Sequence, residues 1–194
     1  MANVQIPGLI PVHQLHGGTI IRARKPIASA ASRIRTGDAL KFGTASVALA
    51  TSANSAIAGA SMGVSYVDSN GARQESDVFP SGTTYSGTTV FPYDGAWCYM
   101  ADDGVNTVYM ASCDEAQTNG DIDLNFVLVL SSTTTRYSDH EVDATSKNTT
   151  ATFPLRFKGF VDSPGSDPDA ADAAGYYQIN AAFLEPALTT TGTS

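Results

Sequence analysis

Turn-forming residues punctuate this chain so closely that no stretch is left for a long amphipathic helix. Asn70-Gly71, Phe79-Pro80-Ser81-Gly82, Asp102-Asp103-Gly104 and Thr118-Asn119-Gly120-Asp121 each favour a reversal. Gly, Asn and Asp tolerate positive φ there, and Pro presets φ for a turn. Between them lie short apolar or alternating runs at 39–43, 45–49, 61–67, 72–78, 96–100, 107–111, 122–130, 153–161 and 176–183. Such runs read as strands, and strands in series without helices imply an all-β fold, an antiparallel β-sandwich or barrel. The runs at 96–100 and 107–111 are expected to form a hairpin across Asp102-Asp103-Gly104. Pro154 cannot donate a ladder hydrogen bond, which places it at a sheet edge or a strand start. The small-residue stretch 50–60 has no period, 131–150 reads as a long exposed polar loop, and 163–175 as an acidic loop.

Residues 1–36 read differently. Pro7, Gly8, Pro11, Gly17, Gly18 and Pro26 deny them a regular period; only 19–25 alternates loosely, and 26–35 has room for one helical turn. The expected organisation is an extended basic arm over 1–36, a β domain over 37–184 and a fraying tail over 185–194. The formal net charge of −8 is unevenly divided. Residues 1–60 hold Arg22, Arg24, Lys25, Arg33, Arg35 and Lys41 against Asp38 alone; the remaining five of 11 bases and eighteen of 19 acids follow. A basic segment with little local acid calls for an acidic surface elsewhere. Arg22, Arg24, Lys25, Arg33 and Arg35 are therefore the candidate contacts with a neighbouring subunit. The bases are too few, and too little interleaved with aromatics, for direct nucleic-acid binding. Only 15% of residues are charged, against about 25% in ordinary soluble domains. Ser, Thr, Gly and Ala replace them, and small side chains lose little rotamer entropy when a partner packs on them. On this reading, a chain lacking 1–36 melts much as the whole does but holds its partner poorly, in a salt-sensitive way.

The constellations of catalysis are sparse. A nucleophile–base–acid set needs a well-placed histidine, and the three present are His13 and His16 in the Gly-rich arm and His140 at an expected solvated loop tip. Asp162, Asp167, Asp169 and Asp172 offer hard oxygen ligands for Ca²⁺ but not in EF-hand spacing, so an ordinary solvated loop is the expectation, with no metal and no cofactor. Cys98 and Cys113 fit neither a zinc site nor a disulfide framework and are expected as buried free thiols. Trp97, Tyr99 and Tyr109 form either core pairs or a stacking platform for sugar, and Tyr85, Phe91 and Tyr93 near Asp94 are a second aromatic cluster. The start, Met1-Ala2-Asn3-Val4-Gln5, lacks the basic and apolar regions of a signal peptide. No apolar run approaches the roughly 18 residues of a membrane span. No membrane partner is expected.

Two stretches carry a family resemblance. The first runs Gly59-Ala60-Ser61-Met62-Gly63-Val64-Ser65-Tyr66-Val67-Asp68-Ser69-Asn70-Gly71, then Phe79-Pro80-Ser81-Gly82-Thr83 and Ala96-Trp97-Cys98-Tyr99-Met100-Ala101-Asp102-Asp103. The second is Leu155-Arg156-Phe157-Lys158-Gly159-Phe160-Val161-Asp162, an acidic loop, then Tyr176-Tyr177-Gln178-Ile179-Asn180. In order across roughly 37–183 these resemble small structural proteins of tailed bacteriophages, notably marine ones, taken as capsid decoration (cement or head-stabilising) proteins. The resemblance implies a β-barrel or sandwich on the outside of the virion shell where capsomers meet. Its partners would be the major capsid protein and copies of itself, as a trimer or other small cluster. It implies synthesis in the host cytoplasm and no active site. The alternatives are a carbohydrate-binding β-sandwich module on the virion, or another head or tail structural subunit.

Overall fold

The computed structural model describes residues 5–27, 32–43, 46–51, 56–68, 70–80, 95–101, 103–104, 106–130, 137–149, 153–162, 167 and 169–180. In chain order the strands are β1 (Ile10–Gln14), β2 (Arg22–Pro26), β3 (Ile34–Arg35), β4 (Ala39–Phe42), β5 (Val47–Leu49), β6 (Gly59–Ala60), β7 (Val64–Val67) and β8 (Arg73–Ser76). They continue with β9 (Val78–Phe79), β10 (Trp97–Ala101), β11 (Thr107–Ser112), β12 (Asn125–Val129), β13 (Glu141–Asn148), β14 (Leu155–Phe160) and β15 (Ala174–Ile179). The helical element among the described residues is a 3₁₀ turn at Asn119–Asp121, where the Thr118–Asp121 turn was expected. The fold is all-β and antiparallel. The strands form a six-stranded sheet β1-β11-β15-β14-β12-β13, a four-stranded sheet β2-β10-β7-β8, a three-stranded sheet β5-β4-β6 and the pair β3-β9. Among the described residues the sheets do not close into a barrel.

The three-stranded sheet packs between two hydrophobic clusters. Ala39 and Ala60 belong to the cluster on the six-stranded sheet, with Tyr109, Phe126, Leu155, Phe157, Tyr177 and Ile179. Leu40 and Val47 belong to the other, with Val64, Phe79, Cys98 and Met100. Successive side chains of β4 thus serve opposite cores, as the period of two dictates. Gly59 marks how close the layers come: a Cβ there would meet Met100 Cε at 2.7 Å and Tyr109 Oη at 3.4 Å. Burial on both sides suits the small residues Ala58, Gly59 and Ala60. In the larger core, Phe126, Phe157, Phe160 and Tyr177 meet at centroid distances of 5.1–6.4 Å, mostly edge to face. The Tyr177 hydroxyl donates to Gln117 Oε1 at 2.7 Å, so its burial leaves the oxygen satisfied.

Several local expectations hold. Asn70-Gly71 turns β7 into β8 through Asp68, whose Oδ1 accepts the Asn70 and Ala72 N–H groups. Pro154 immediately precedes β14. Three expectations fail. First, β10 and β11 do not form a hairpin: they lie in different sheets. Second, residues 141–148 are not loop but the edge strand β13, with only Val142 and Ala144 facing inward. Third, residues 1–36 do not stand apart as an arm. β1 pairs with β11 from Ile10↔Met110 to Gln14↔Thr107, and β2 pairs with β10 from Arg22↔Ala101 to Pro26↔Trp97. The Leu15 N–H donates to Asn106 O at 2.8 Å between the two ladders. The N-terminal segment therefore runs antiparallel along β11 and β10 as one ribbon that bends from sheet to sheet, covering an edge of each. Leu9 and Ile34 are fully buried and Ile27 nearly so. Among the described residues of 26–35, Pro26 and Ile34–Arg35 are strand and none is helical; residues 28–31 lie outside the described residues. The tail 185–194 lies outside the described residues.

Candidate interaction surface

The five basic residues singled out in the N-terminal segment separate into three environments. Arg22, Arg24 and Lys25 lie on β2, an outermost strand. Charged residues on such an edge also oppose unwanted strand pairing, and Pro26 ends the strand without a donor. Arg24 lies over the Trp97 indole, 4.3 Å from its centroid, a cation–π contact that covers the ring. Arg33 is half-buried before β3.

Arg35 corrects the expectation of an outward contact. It is 5% exposed, and its Nη1 pairs with Asp139 Oδ2 at 3.3 Å. Asp38 beside it accepts the Arg35 N–H on Oδ2 at 2.8 Å, while its Oδ1, without a hydrogen-bond partner, faces His140 Nε2 at 3.7 Å. His140 is likewise no solvated loop tip: it is 2% exposed, and its Nδ1 accepts the Ala39 N–H at 3.2 Å. Burial holds the imidazole below its ordinary pKa, Arg35 adding to this against the pull of Asp38 and Asp139. Neutral in the fold, His140 protonates near pH 6.5 once unfolded. The unfolded chain then binds more protons, so stability falls as pH drops below about 6.5. We expect the melting temperature to fall between pH 7.5 and 5.5. His140→Asn, which can retain an acceptor for Ala39, should fall less over the same interval; parallel curves would remove His140 from the explanation.

The bend of the ribbon presents apolar surface. Val12, Leu15 and Ile21 are 37, 39 and 65% exposed, and they account for half of the large exposed hydrophobics among the described residues, with Ile122, Val129 and Tyr137. Val12 lies in β1, Leu15 directly follows it, and Ile21 immediately precedes the basic strand β2. On the six-stranded sheet and its connections, Lys147 pairs with Asp121 at 3.0 Å, and Arg156 and Lys158 pair with Asp123 at 3.1 and 2.7 Å. None of the three stands out in the sequence, because their exposure follows from the bend between sheets, which no local pattern signals.

The other candidate groups are dispersed. His13 stacks edge-on against Tyr176 at 5.8 Å, on the six-stranded sheet. Cys98 and Cys113 are free, buried in separate clusters, and burial pushes each thiol up to about 12. Trp97 and Tyr99 share one face of β10, whereas Tyr109 is fully buried in the other sheet, so the three form no common platform. Tyr85, Phe91, Tyr93 and Asp94 lie outside the described residues. Among the described residues, no group of three or more His, Cys, Asp or Glu is arranged to hold a metal ion, and no helix is long and apolar enough to cross a membrane. Fold and surface together define the class: a layered, antiparallel all-β protein. Comparison with protein-family models, curated proteins and solved structures finds no match.

Proposed function

We propose that this chain is a non-catalytic structural protein of a phage virion, a decoration protein that binds the outer capsid surface and strengthens contacts between capsomers. The observation that carries the protein-binding part is the exposed apolar bend, Val12, Leu15 and Ile21, set against the basic edge strand. Apolar side chains beside bases suit a protein partner with an acidic rim; each Å² of apolar surface covered contributes roughly 25 cal/mol before the costs of association. The phage assignment rests on the sequence resemblance across roughly 37–183. Repetition over a closed lattice multiplies a modest contact through avidity.

The test is a double variant, Ile21→Ser with Arg22→Glu, at two exposed positions. It should melt within a few degrees of the parent while its co-sedimentation with emptied shells falls by about tenfold or more, equivalent to roughly 1.4 kcal/mol. Undiminished binding would remove the bend from the contact.

A further inference from the structure

A groove of about 340 Å³ opens on the four-stranded sheet; it shares Arg22 with the basic strand invoked above, and the rest of its lining has no part in that proposal. Its form follows from the strand register. The Tyr99 N–H donates to Gly63 O at 2.9 Å, and the next pair, Val64↔Ser76, sets Gly63 level with Asp77. Between the Tyr99 side chain and Asp77 there is consequently no side chain at all. A Cβ on Gly63 would come within 4 Å only of Ser76 O, at 3.5 Å, so nothing fills the notch. This contrasts with Gly59, whose missing Cβ makes room for Met100. Glu75 and Arg22 complete the rim with Met62, and the Tyr99 hydroxyl donates to Glu75 Oε1 at 3.3 Å, which steadies the ring.

The lining decides the chemistry. Arg22 offers only donors; the carboxylates of Glu75 and Asp77 offer only acceptors; Tyr99 offers an aromatic wall. An anion would be served by Arg22 but would face two carboxylates. A cationic side chain would be served by the carboxylates but would face the guanidinium. A hydroxyl donates and accepts at once, and a ring bearing several of them has an apolar C–H face for Tyr99. We propose that this groove binds a neutral polyhydroxylated ligand, a saccharide unit, with Tyr99 as the wall, Glu75 and Asp77 accepting from ligand hydroxyls and Arg22 donating to them. The inference does not rest on the capsid reading; Arg22 is common to both, and Glu75→Gln, outside the proposed contact, tests the groove alone.

The test is a titration of the full isotope-labelled chain, followed through its amide resonances. The probes are a panel of neutral oligosaccharides built from hexoses, pentoses and N-acetylhexosamines, with arginine amide and inorganic phosphate as charged controls. At least one saccharide should shift the Gly63, Glu75, Asp77 and Tyr99 signals saturably, with a Kd on the order of 1 mM for so open a site. Glu75→Gln and Arg22→Ala, both exposed, should each weaken it several-fold at unchanged melting temperature, and Tyr99→Ala should abolish it. Should Tyr99→Ala fail to fold, the two rim variants decide alone. Three results would overturn the proposal: no saturable shift with any saccharide, saccharide binding indifferent to both rim variants, or stronger shifts with arginine amide than with every saccharide, which would make the groove a receptor for a basic peptide.

Discussion

A chain shortened to residues 37–194 is expected to show no cooperative unfolding transition. The truncation removes β1 and β2, leaving the hydrogen-bonding edges of β11 and β10 bare. It also removes Leu9, Ile27 and Ile34, at 0, 8 and 0% exposure. Burying one such side chain contributes roughly 1.5–3 kcal/mol, so three approach the whole of a typical stability of about 5–15 kcal/mol. Arg35 goes with them, and so do its ion pair with Asp139 and the N–H that Asp38 Oδ2 accepts. Uncovered edges of this kind also recruit one another, so the truncated chain should aggregate on heating. Calorimetry reads the outcome directly. A sharp transition within a few degrees of the full chain would mean that the N-terminal ribbon is a removable strap, as its Pro and Gly content alone suggested.

Gly37→Ala should be strongly damaging, because Gly37 sits at the junction of the N-terminal segment and the core. Gly37 has φ +90, and a Cβ there would sit 2.1 Å from Pro7 O and 3.1 Å from Ser138 Cβ. Its own N–H donates to Ser61 O at 2.8 Å and its carbonyl accepts the Leu9 N–H at 2.9 Å, so the backbone cannot retreat without breaking both. The left-handed conformation costs a side-chain-bearing residue roughly 1–2 kcal/mol, and forcing atoms into a filled site costs about 1–3 kcal/mol more. A loss of about 3 kcal/mol lowers the melting temperature of a chain this size by roughly 10 °C. Gly17→Ala is the control: φ is +76, but nothing lies within 4 Å of the added carbon. It should cost only the conformational part, roughly 1–2 kcal/mol. Equal losses at the two positions would show that the Pro7–Gly37–Ser138 contact is looser than its geometry implies.

Local chemistry made much of the fold legible. Asn70-Gly71 announces its hairpin, and the apolar runs around Phe126, Phe157 and Tyr177 become neighbouring strands of one core. What stayed hidden depends on pairing between distant segments. Asp102-Asp103-Gly104 favours a reversal, yet β10 and β11 each have a partner about seventy to one hundred residues earlier in the chain, β2 and β1. Two ladders with the ribbon outweigh one hairpin. β13 escaped notice because Val142 and Ala144 alone carry its inward pattern, amid Glu, Asp, Thr, Ser, Lys and Asn. His140 and Arg35 look like surface residues in sequence, and become buried because Asp38 and Asp139 lie beside them in space. Of the basic candidates, Arg22, Arg24 and Lys25 lie on an edge strand while Arg35 is buried, a separation that composition does not signal.

The proposed role turns these features to one purpose. A layered β body, closed at two edges by its own N-terminal segment, offers a rigid support for an apolar bend and a basic strand, and rigid supports lose little entropy on docking. Quantitative mass spectrometry of purified phage particles bearing this chain tests that role most directly. The account predicts many copies per particle in a fixed ratio to the major capsid protein, retained in shells emptied of DNA; absence of the chain from washed particles, or its presence only with the detached tail, would contradict it.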